Sequence, residues 1–139
     1  MSSPRVIAMQ TQKRKETVAD LFRLIGEGRP KDGLKYFTAG CVQHNPYVKG
    51  GMGVLFDSMV AAMKNMRRQF TDPELKVRYT LADGDIVAAY TQLLASKSDP
   101  SKGGLRQVHL FRFSGEKIAE YWDITQSITP DMGNAGGAF

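Results

Sequence analysis

The sequence predicts one α+β domain, in which N-terminal helices pack on a strongly curved and mainly antiparallel sheet. Its 139 residues are enough for a single domain with a buried core. Apolar residues recur at helical spacing in the first half, whereas after Pro73 apolar and polar residues alternate. Helices followed by an antiparallel meander are typical of segregated α+β folds. We therefore treat residues 1–139 as one domain, with irregular tails over 1–10 and 130–139.

The helical half contains two long segments and one short one. A helix is predicted over about 11–25, and its apolar positions are Val18, Leu21, Phe22 and Ile25. Pro30 then opens a short helix through Leu34 and Phe37, which Gly40 closes. Residues 41–48 read as irregular or briefly extended, because Pro46 pushes Asn45 out of helical geometry. A second long helix is predicted over about 54–67.

The second half reads as an antiparallel meander. Strands are predicted over about 75–81, 86–94, 105–113 and 118–128, with a polar loop over 97–104. Asp83-Gly84 is a hairpin turn, and Ser114-Gly115-Glu116 is a second tight turn. Because such a sheet bends into a half-open cone, its inner side is a natural place for a small ligand.

Charge and cysteine content exclude several classes of function. The formal net charge is +5, but the basic residues are dispersed and no basic run is interleaved with aromatic residues. That pattern favours a solvated basic surface over a nucleic-acid partner. No apolar run is long enough for a signal peptide or a membrane span. With Cys41 as the single cysteine, no intrachain disulfide can form, and we expect a cytoplasmic protein.

Motifs for metal or cofactor chemistry are missing from the sequence. There is no cluster of His, Cys and Asp at metal-ligand spacing, and no HExxH motif. No G-x-S-x-G elbow is present, and no glycine-rich loop follows a strand as in nucleotide sites. We therefore expect neither a metal nor an organic cofactor.

The last two predicted strands carry the residues with chemical potential. In the strand predicted over about 105–113, alternation places four residues on one face, namely Gln107, His109, Phe111 and Phe113. In the final strand, Asp123 shares a face with Tyr121, and Trp122 points the other way. A two-residue turn would set His109 opposite Trp122, whereas a three-residue loop or a bulge would set it opposite Asp123. The local sequence leaves these registers open.

If Asp123 and His109 share the inner wall, acid/base chemistry follows. A carboxylate in an apolar pocket has a raised pKa, which a neighbouring charged imidazole lowers again. Such a group can take a proton from an acidic carbon and return it elsewhere. Gln107 and His109 could then hydrogen-bond the carbonyl oxygen as charge develops on it.

Plain structural interpretations stand beside this one. Asp123 could face water or pair with Arg106 or Arg112, and His109 could be a buried histidine with satisfied hydrogen bonds. Asn45 fits a turn before Pro46, and Trp122 fits the core.

The motifs of the last hairpin resemble those of the SnoaL-like proteins, a branch of the nuclear transport factor 2-like fold. The similar stretches are Gln107-Val108-His109-Leu110-Phe111-Arg112-Phe113 and Lys117-Ile118-Ala119-Glu120-Tyr121-Trp122-Asp123. This family includes polyketide cyclases that close a ring by intramolecular aldol condensation. The order of helices and strands is similar along nearly the whole chain.

The resemblance implies a cone-shaped α+β barrel, a homodimer, and no cofactor. It implies Asp123 as the general acid/base, with Gln107 and His109 as groups that position the substrate, a small hydrophobic molecule. The segment His44-Asn45-Pro46 resembles the family's pocket mouth. The residues predicted to contact the substrate are Gln107, His44, Asn45, Tyr47, Tyr121, Trp122 and Phe111.

Two functions from different classes remain open from the sequence. The first is a cofactor-free enzyme that cyclises or isomerises a carbonyl compound, and the second is a ligand-binding or dimeric interaction module without catalysis. A single fold hosts both kinds of protein, so the motifs alone do not separate them.

Overall fold

Two long helices and a short one precede most of a five-stranded sheet. The computed structural model describes residues 3–70 and 72–139. The helices are α1 (Pro4–Gly26), a 3₁₀ helix (Pro30–Tyr36) and α2 (Met52–Gln69). The strands are β1 (Phe37–Gln43), β2 (Glu74–Asp83), β3 (Ile86–Leu94), β4 (Gly104–Ser114) and β5 (Lys117–Ile128). This architecture confirms the predicted α+β class.

Helix α1 begins earlier than its apolar pattern indicates. Ser3 caps it by accepting a hydrogen bond from the backbone N–H of Val6 at 3.2 Å, and Pro4 occupies the first turn. The prediction of an irregular segment over 1–10 is therefore wrong from Pro4 onward, and residues 1 and 2 lie outside the described part of the chain. Residues 4–10 are exposed, so they carry no core-facing pattern that could reveal the helix.

Strand β1 replaces the end of the predicted short helix. The 3₁₀ helix ends at Tyr36, and Phe37 already pairs with Ile118. The prediction of helix through Phe37 to Gly40 is wrong, because β1 pairs with the distant β5, and local spacing carries no signal for that contact. This pairing is parallel, so the sheet is mixed, although its other pairs are antiparallel.

The sheet is curled but not closed, with the order β1-β5-β4-β3-β2. Two-residue turns join β2 to β3 and β4 to β5, and each turn begins with a glycine at positive φ, namely Gly84 (59°) and Gly115 (63°). A glycine in first place suits the primed turns that match strand twist. The curl gives the sheet an inner face toward the helices and an outer face away from them.

The core lies between the inner face and the helices. Helix α1 contributes Val18, Leu21, Phe22 and Ile25, as its spacing predicts, and α2 contributes Met52, Leu55 and Phe56. The C-terminal segment forms turns and a short 3₁₀ helix over Gly136–Ala138, with Ala135 buried. Arg106 fastens this segment by donating from Nη1 to the carbonyl of Ala138 at 3.2 Å. Of the helices in the part described, none is both long and apolar enough to cross a bilayer.

Candidate active site

The register of the β4–β5 hairpin sets Asp123 directly opposite His109. Ser114 pairs with Lys117, so the turn is the two-residue type. A bulge then follows, because Arg112 pairs with Glu120 while Phe113 pairs with Ile118. The extra residue on β5 shifts every later pair by one position. Among the registers that the sequence leaves open, the structure has the short turn with a bulge.

The carboxylate of Asp123 is held by two hydrogen-bond donors. The side-chain amide of Asn45 donates to both oxygens, at 3.1 Å to Oδ1 and 2.9 Å to Oδ2. The hydroxyl of Tyr121 donates to Oδ2 at 3.4 Å. Asp123 itself is half-buried, so its carboxylate is both oriented and within reach of solvent.

Asn45 is fixed by a turn of its own segment. Its backbone N–H donates to Oε1 of Gln43 at 2.7 Å, and its Oδ1 accepts from the backbone N–H of Tyr47 at 2.9 Å. This is the local side-chain turn that an Asn before proline favours. Because Oδ1 is occupied, the amide nitrogen is the group that faces Asp123.

His109 is buried and neutral. The residue is 3% exposed, with Nε2 at 2.9 Å from Oγ1 of Thr91 and Nδ1 at 2.7 Å from the hydroxyl of Tyr121. Burial lowers the pKa of His109 from 6.5 to about 4, because the charged form would lose its hydration. The structure therefore does not place a charged imidazole beside Asp123. With both ring nitrogens occupied, His109 has no free atom for a ligand.

Aromatic packing fills the space behind His109. The ring of Phe22 meets the His109 ring edge-on at 4.9 Å, and Phe111 packs against Phe22 and Tyr121. Phe111 and Tyr121 are buried and belong to the core cluster, so the structure places them behind the site rather than on its surface. The inner face is instead accessible at Gln107 and Thr125, and we call this part its open end. There the amide of half-buried Gln107 donates to Oγ1 of exposed Thr125 at 2.9 Å.

His44 and Trp122 lie on the outer face of the sheet, across from Asp123. Their rings stack at 4.8 Å, and Nε2 of His44 lies 2.7 Å from Oε2 of Glu120. Arg112 also bonds Glu120, at 3.0 Å, and the pKa of that carboxyl is lowered first by His44 and then by Arg112. The structure thus does not bring His44 and Trp122 together with Asp123, because strand alternation gives Trp122 the opposite face.

Other candidate features lie apart from Asp123. Tyr47 is 91% exposed. One hollow of about 240 Å³ lies under the C-terminal segment, at Arg106 and Ala135, and another of about 350 Å³ lies between α1 and the β4–β5 turn, at Val6 and Glu116. Neither hollow is lined by Asp123, Gln107 or His109.

Cys41 does not carry an activated thiol. Cys41 is buried, and desolvation raises its pKa to about 11 with a further contribution from Glu120. Its thiol is therefore protonated at neutral pH. Within residues 3–70 and 72–139, no three side chains of His, Cys, Asp or Glu come together as a metal site.

Thr91 and Phe22 complete the arrangement, and the sequence interpretation did not assign either to it. Thr91 is a fully buried polar residue in the apolar strand β3. A hydroxyl on the buried face of such a strand is a usable signal, because a buried hydroxyl needs a partner. Phe22 is assigned to the core by helical spacing, but its contact with His109 spans most of the chain.

Solved structures of low sequence identity share this fold. AclR from Streptomyces galilaeus, provisionally assigned as a hydroxylase, has 18% identity and a TM-score of 0.65, covering 84% of this chain and 80% of that one. A SnoaL-like protein of unknown function from Burkholderia thailandensis has 13% identity and a TM-score of 0.63, covering 83% and 95%. A provisional ketosteroid isomerase from Kribbella flavida has 12% identity and a TM-score of 0.61, covering 84% and 80%.

A comparison with curated proteins found no match. The family model for the SnoaL-like domain matches residues 18–121, which span α1 from its first core position to Tyr121 on β5. The match ends two residues before Asp123. Since it covers most of the chain and the structure has the nuclear transport factor 2-like fold of its neighbours, this chain belongs to the SnoaL-like domain family.

Proposed function

We propose that this protein is a cofactor-independent acid/base enzyme. It takes a proton from a carbon next to a carbonyl group and returns it elsewhere on the same small hydrophobic compound. Intramolecular aldol cyclisation and isomerisation are the two outcomes of that chemistry. The Kribbella flavida neighbour, a provisional ketosteroid isomerase, supports this reaction class only through a shared fold, since one fold hosts many activities.

The observation that carries the proposal is the carboxylate of Asp123. It is half-buried, is oriented by Asn45 and Tyr121, and lies on the same inner face of the sheet as Gln107, two register pairs away. A general base must lie within hydrogen-bond reach of the proton that it abstracts. An oriented carboxylate at the open end of this face meets that requirement.

Gln107 is the group suited to bind the carbonyl oxygen. Its side-chain amide projects at the open end of the inner face and donates to Thr125. A ligand carbonyl that replaces this contact would gain a donor where negative charge develops in the enolate. His109 is not that donor, because Thr91 and Tyr121 occupy its nitrogens.

Hydrogen–deuterium exchange tests this proposal without knowledge of the natural substrate. β-Tetralone is a small aromatic ketone with acidic C–H bonds next to its carbonyl, and NMR in D₂O follows their exchange. We expect the wild-type protein to accelerate exchange and Asp123→Asn to abolish the acceleration. Folding should change little, because Asn keeps the shape of the side chain.

Asp83→Asn is the matched control. Asp83 ends β2 at an exposed turn, so this variant loses the same charge far from Asp123 and should exchange like wild type. Exchange that is equal in wild type and Asp123→Asn would overturn the assignment of Asp123 as the base.

The second candidate is a binding module without catalysis. It is favoured by the packing of Phe22 on His109, which leaves the ligand only the open end of the inner face. This alternative predicts that β-tetralone binds without exchange, and that Asp123→Asn leaves the affinity unchanged. Binding measured by NMR titration on the same samples separates the two candidates.

A further inference from the structure

Four hydrogen-bonded groups run from the core to the surface of the inner face. Thr91 contacts Nε2 of His109, Nδ1 of His109 contacts the Tyr121 hydroxyl, and that hydroxyl contacts Oδ2 of Asp123, at 2.9, 2.7 and 3.4 Å. Thr91 is fully buried, and Tyr121 is 4% exposed. Tyr121 therefore has no surface for a ligand, so its hydroxyl acts on other protein groups.

Only one arrangement of protons satisfies every contact in this series of hydrogen bonds. His109 is neutral and carries one ring proton, and Tyr121 keeps its own, because burial and the nearby Asp123 raise the pKa of the phenol. If the phenol donated to Nδ1, no proton would lie between the phenol and the carboxylate. If Nδ1–H donates to the phenol oxygen instead, the phenol donates to Asp123, and Thr91 donates to Nε2.

We propose that Tyr121 is a positioning residue for Asp123, held in its role by His109 in the Nδ1–H tautomer. Every donor in this series of hydrogen bonds then points toward the carboxylate of Asp123. Together with the amide of Asn45, the phenol fixes how the carboxylate faces the open end of the inner face. This differs from a substrate contact, which the sequence predicts for both Tyr121 and Asn45.

The order of the protons rests on the hydrogen-bond distances together with a neutral His109 and a protonated Tyr121, and its catalytic consequence rests on the proposed function. Without the carboxylate, the phenol has one remaining acceptor, which is Nδ1 of His109. The ring proton then moves to Nε2, where Thr91 accepts it. The tautomer of His109 is thus a reporter of whether Asp123 receives the hydrogen bond from Tyr121.

The test is ¹⁵N NMR of the histidine rings, which distinguishes a protonated from an unprotonated ring nitrogen. The chain has two histidines, so the spectrum is simple. We expect wild-type His109 to be protonated at Nδ1, and Asp123→Ala to move the proton to Nε2. Glu120→Gln is the control, because Glu120 contacts His44, so it should alter only the His44 signals.

A second arm measures exchange of β-tetralone by Tyr121→Phe, which keeps the ring in the core and removes the hydroxyl. We expect kcat to fall roughly 10- to 100-fold with little change in KM, as for loss of one hydrogen bond to a charged group. Wild-type His109 protonated at Nε2, a tautomer unchanged by Asp123→Ala, or an unchanged kcat would overturn the proposal. If wild type does not exchange β-tetralone, the proposed function fails, and the NMR result still decides the hydrogen-bond order.

Discussion

Asp123 and His109 lie opposite each other on one hairpin, yet the two side chains have different surroundings. Asp123 is half-buried and faces donors, whereas Phe22 and Tyr121 enclose His109. Low accessibility keeps the imidazole neutral, whereas the side chain of Asp123 stays partly in contact with solvent. Under the proposed function, Asp123 is the reacting group and His109 supports it indirectly.

Burial of His109 makes the stability of the protein depend on pH. The unfolded chain binds a proton on this histidine near pH 6.5, but the folded chain does so only near pH 4. The contribution of the neutral His109 ring to the free energy of unfolding is therefore complete above pH 6.5, its pKa in the unfolded chain. It is lost as the pH falls from 6.5 toward 4. We expect a loss of roughly 2 kcal/mol between about pH 7 and about pH 5.

Urea unfolding of wild type and His109→Gln at several pH values measures this loss. The variant lacks the titrating ring, so its free energy of unfolding should fall less over the same range. Parallel pH profiles for the two proteins would contradict the neutral, buried state of His109.

Alternation along the strands is enough to identify Gln107, His109 and Asp123 as candidate site residues, but it does not show which role each side chain has in the site. The burial of His109 depends on Phe22, which approaches from α1 across a long separation in sequence. Spacing within one strand carries no information about such a contact. The same reasoning explains His44, whose position follows from the pairing of β1 with β5.

At the scale of elements, the β4–β5 hairpin decides whether a site exists. Gly115 indicates the two-residue turn, and the turn by itself would place Trp122 opposite His109. The bulge near Phe113 corrects the register, but no residue there is a dedicated bulge signal such as glycine. The turn could be predicted from the sequence, whereas the bulge depends on packing around Ile118 and Phe113 in the core.

Arg14 on α1 joins this hairpin to its neighbour. Its guanidinium donates from Nε and Nη2 to the carbonyl of Gly115, at 3.1 and 3.0 Å, and from Nη1 to that of Gly84 at 3.5 Å. It also lies over the ring of Phe113 at 5.4 Å. One side chain thus ties both turns to the first helix.

We expect Arg14→Ala to lower the free energy of unfolding by about 1–2 kcal/mol, because the turn carbonyls lose a charged donor. Chemical denaturation measures the change. Arg5→Ala, on the exposed first turn of the same helix, is the control and should stay within about 0.5 kcal/mol of wild type. Equal stability of the two variants would show that the turns hold without Arg14.

At the scale of the molecule, the two faces of the sheet have different environments. The helices cover the inner face, while the outer face exposes large apolar side chains, among them Tyr79, Leu81 and Ile124, each at least 64% exposed. Exposed apolar surface of this kind marks interaction sites. Apart from β1, the order of helices and strands could be predicted from the sequence, but the exposure of this face could not, because it requires the register of all five strands.

We propose that a second copy of the chain covers the outer face. Arg112 and Glu120 pair within the chain on this face, so neither charge is left without a partner when a second copy packs there about a twofold axis. We expect wild type to sediment as a dimer and Ile124→Glu to sediment as a monomer. Val54→Glu on α2, which is half-exposed away from that face, should remain dimeric. A monomeric wild-type protein would contradict the proposal.

We propose that a ligand meets the carboxylate of Asp123 at the open end of the inner face. β-Naphthol is planar and resembles the enol of β-tetralone, so the residues that it contacts show where such a ligand binds. In a titration followed by NMR, we expect shift changes at Gln107, Asp123 and Thr125, and weaker binding by Gln107→Ala. Shift changes confined to the outer face, around Trp122 and Ile124, would contradict it.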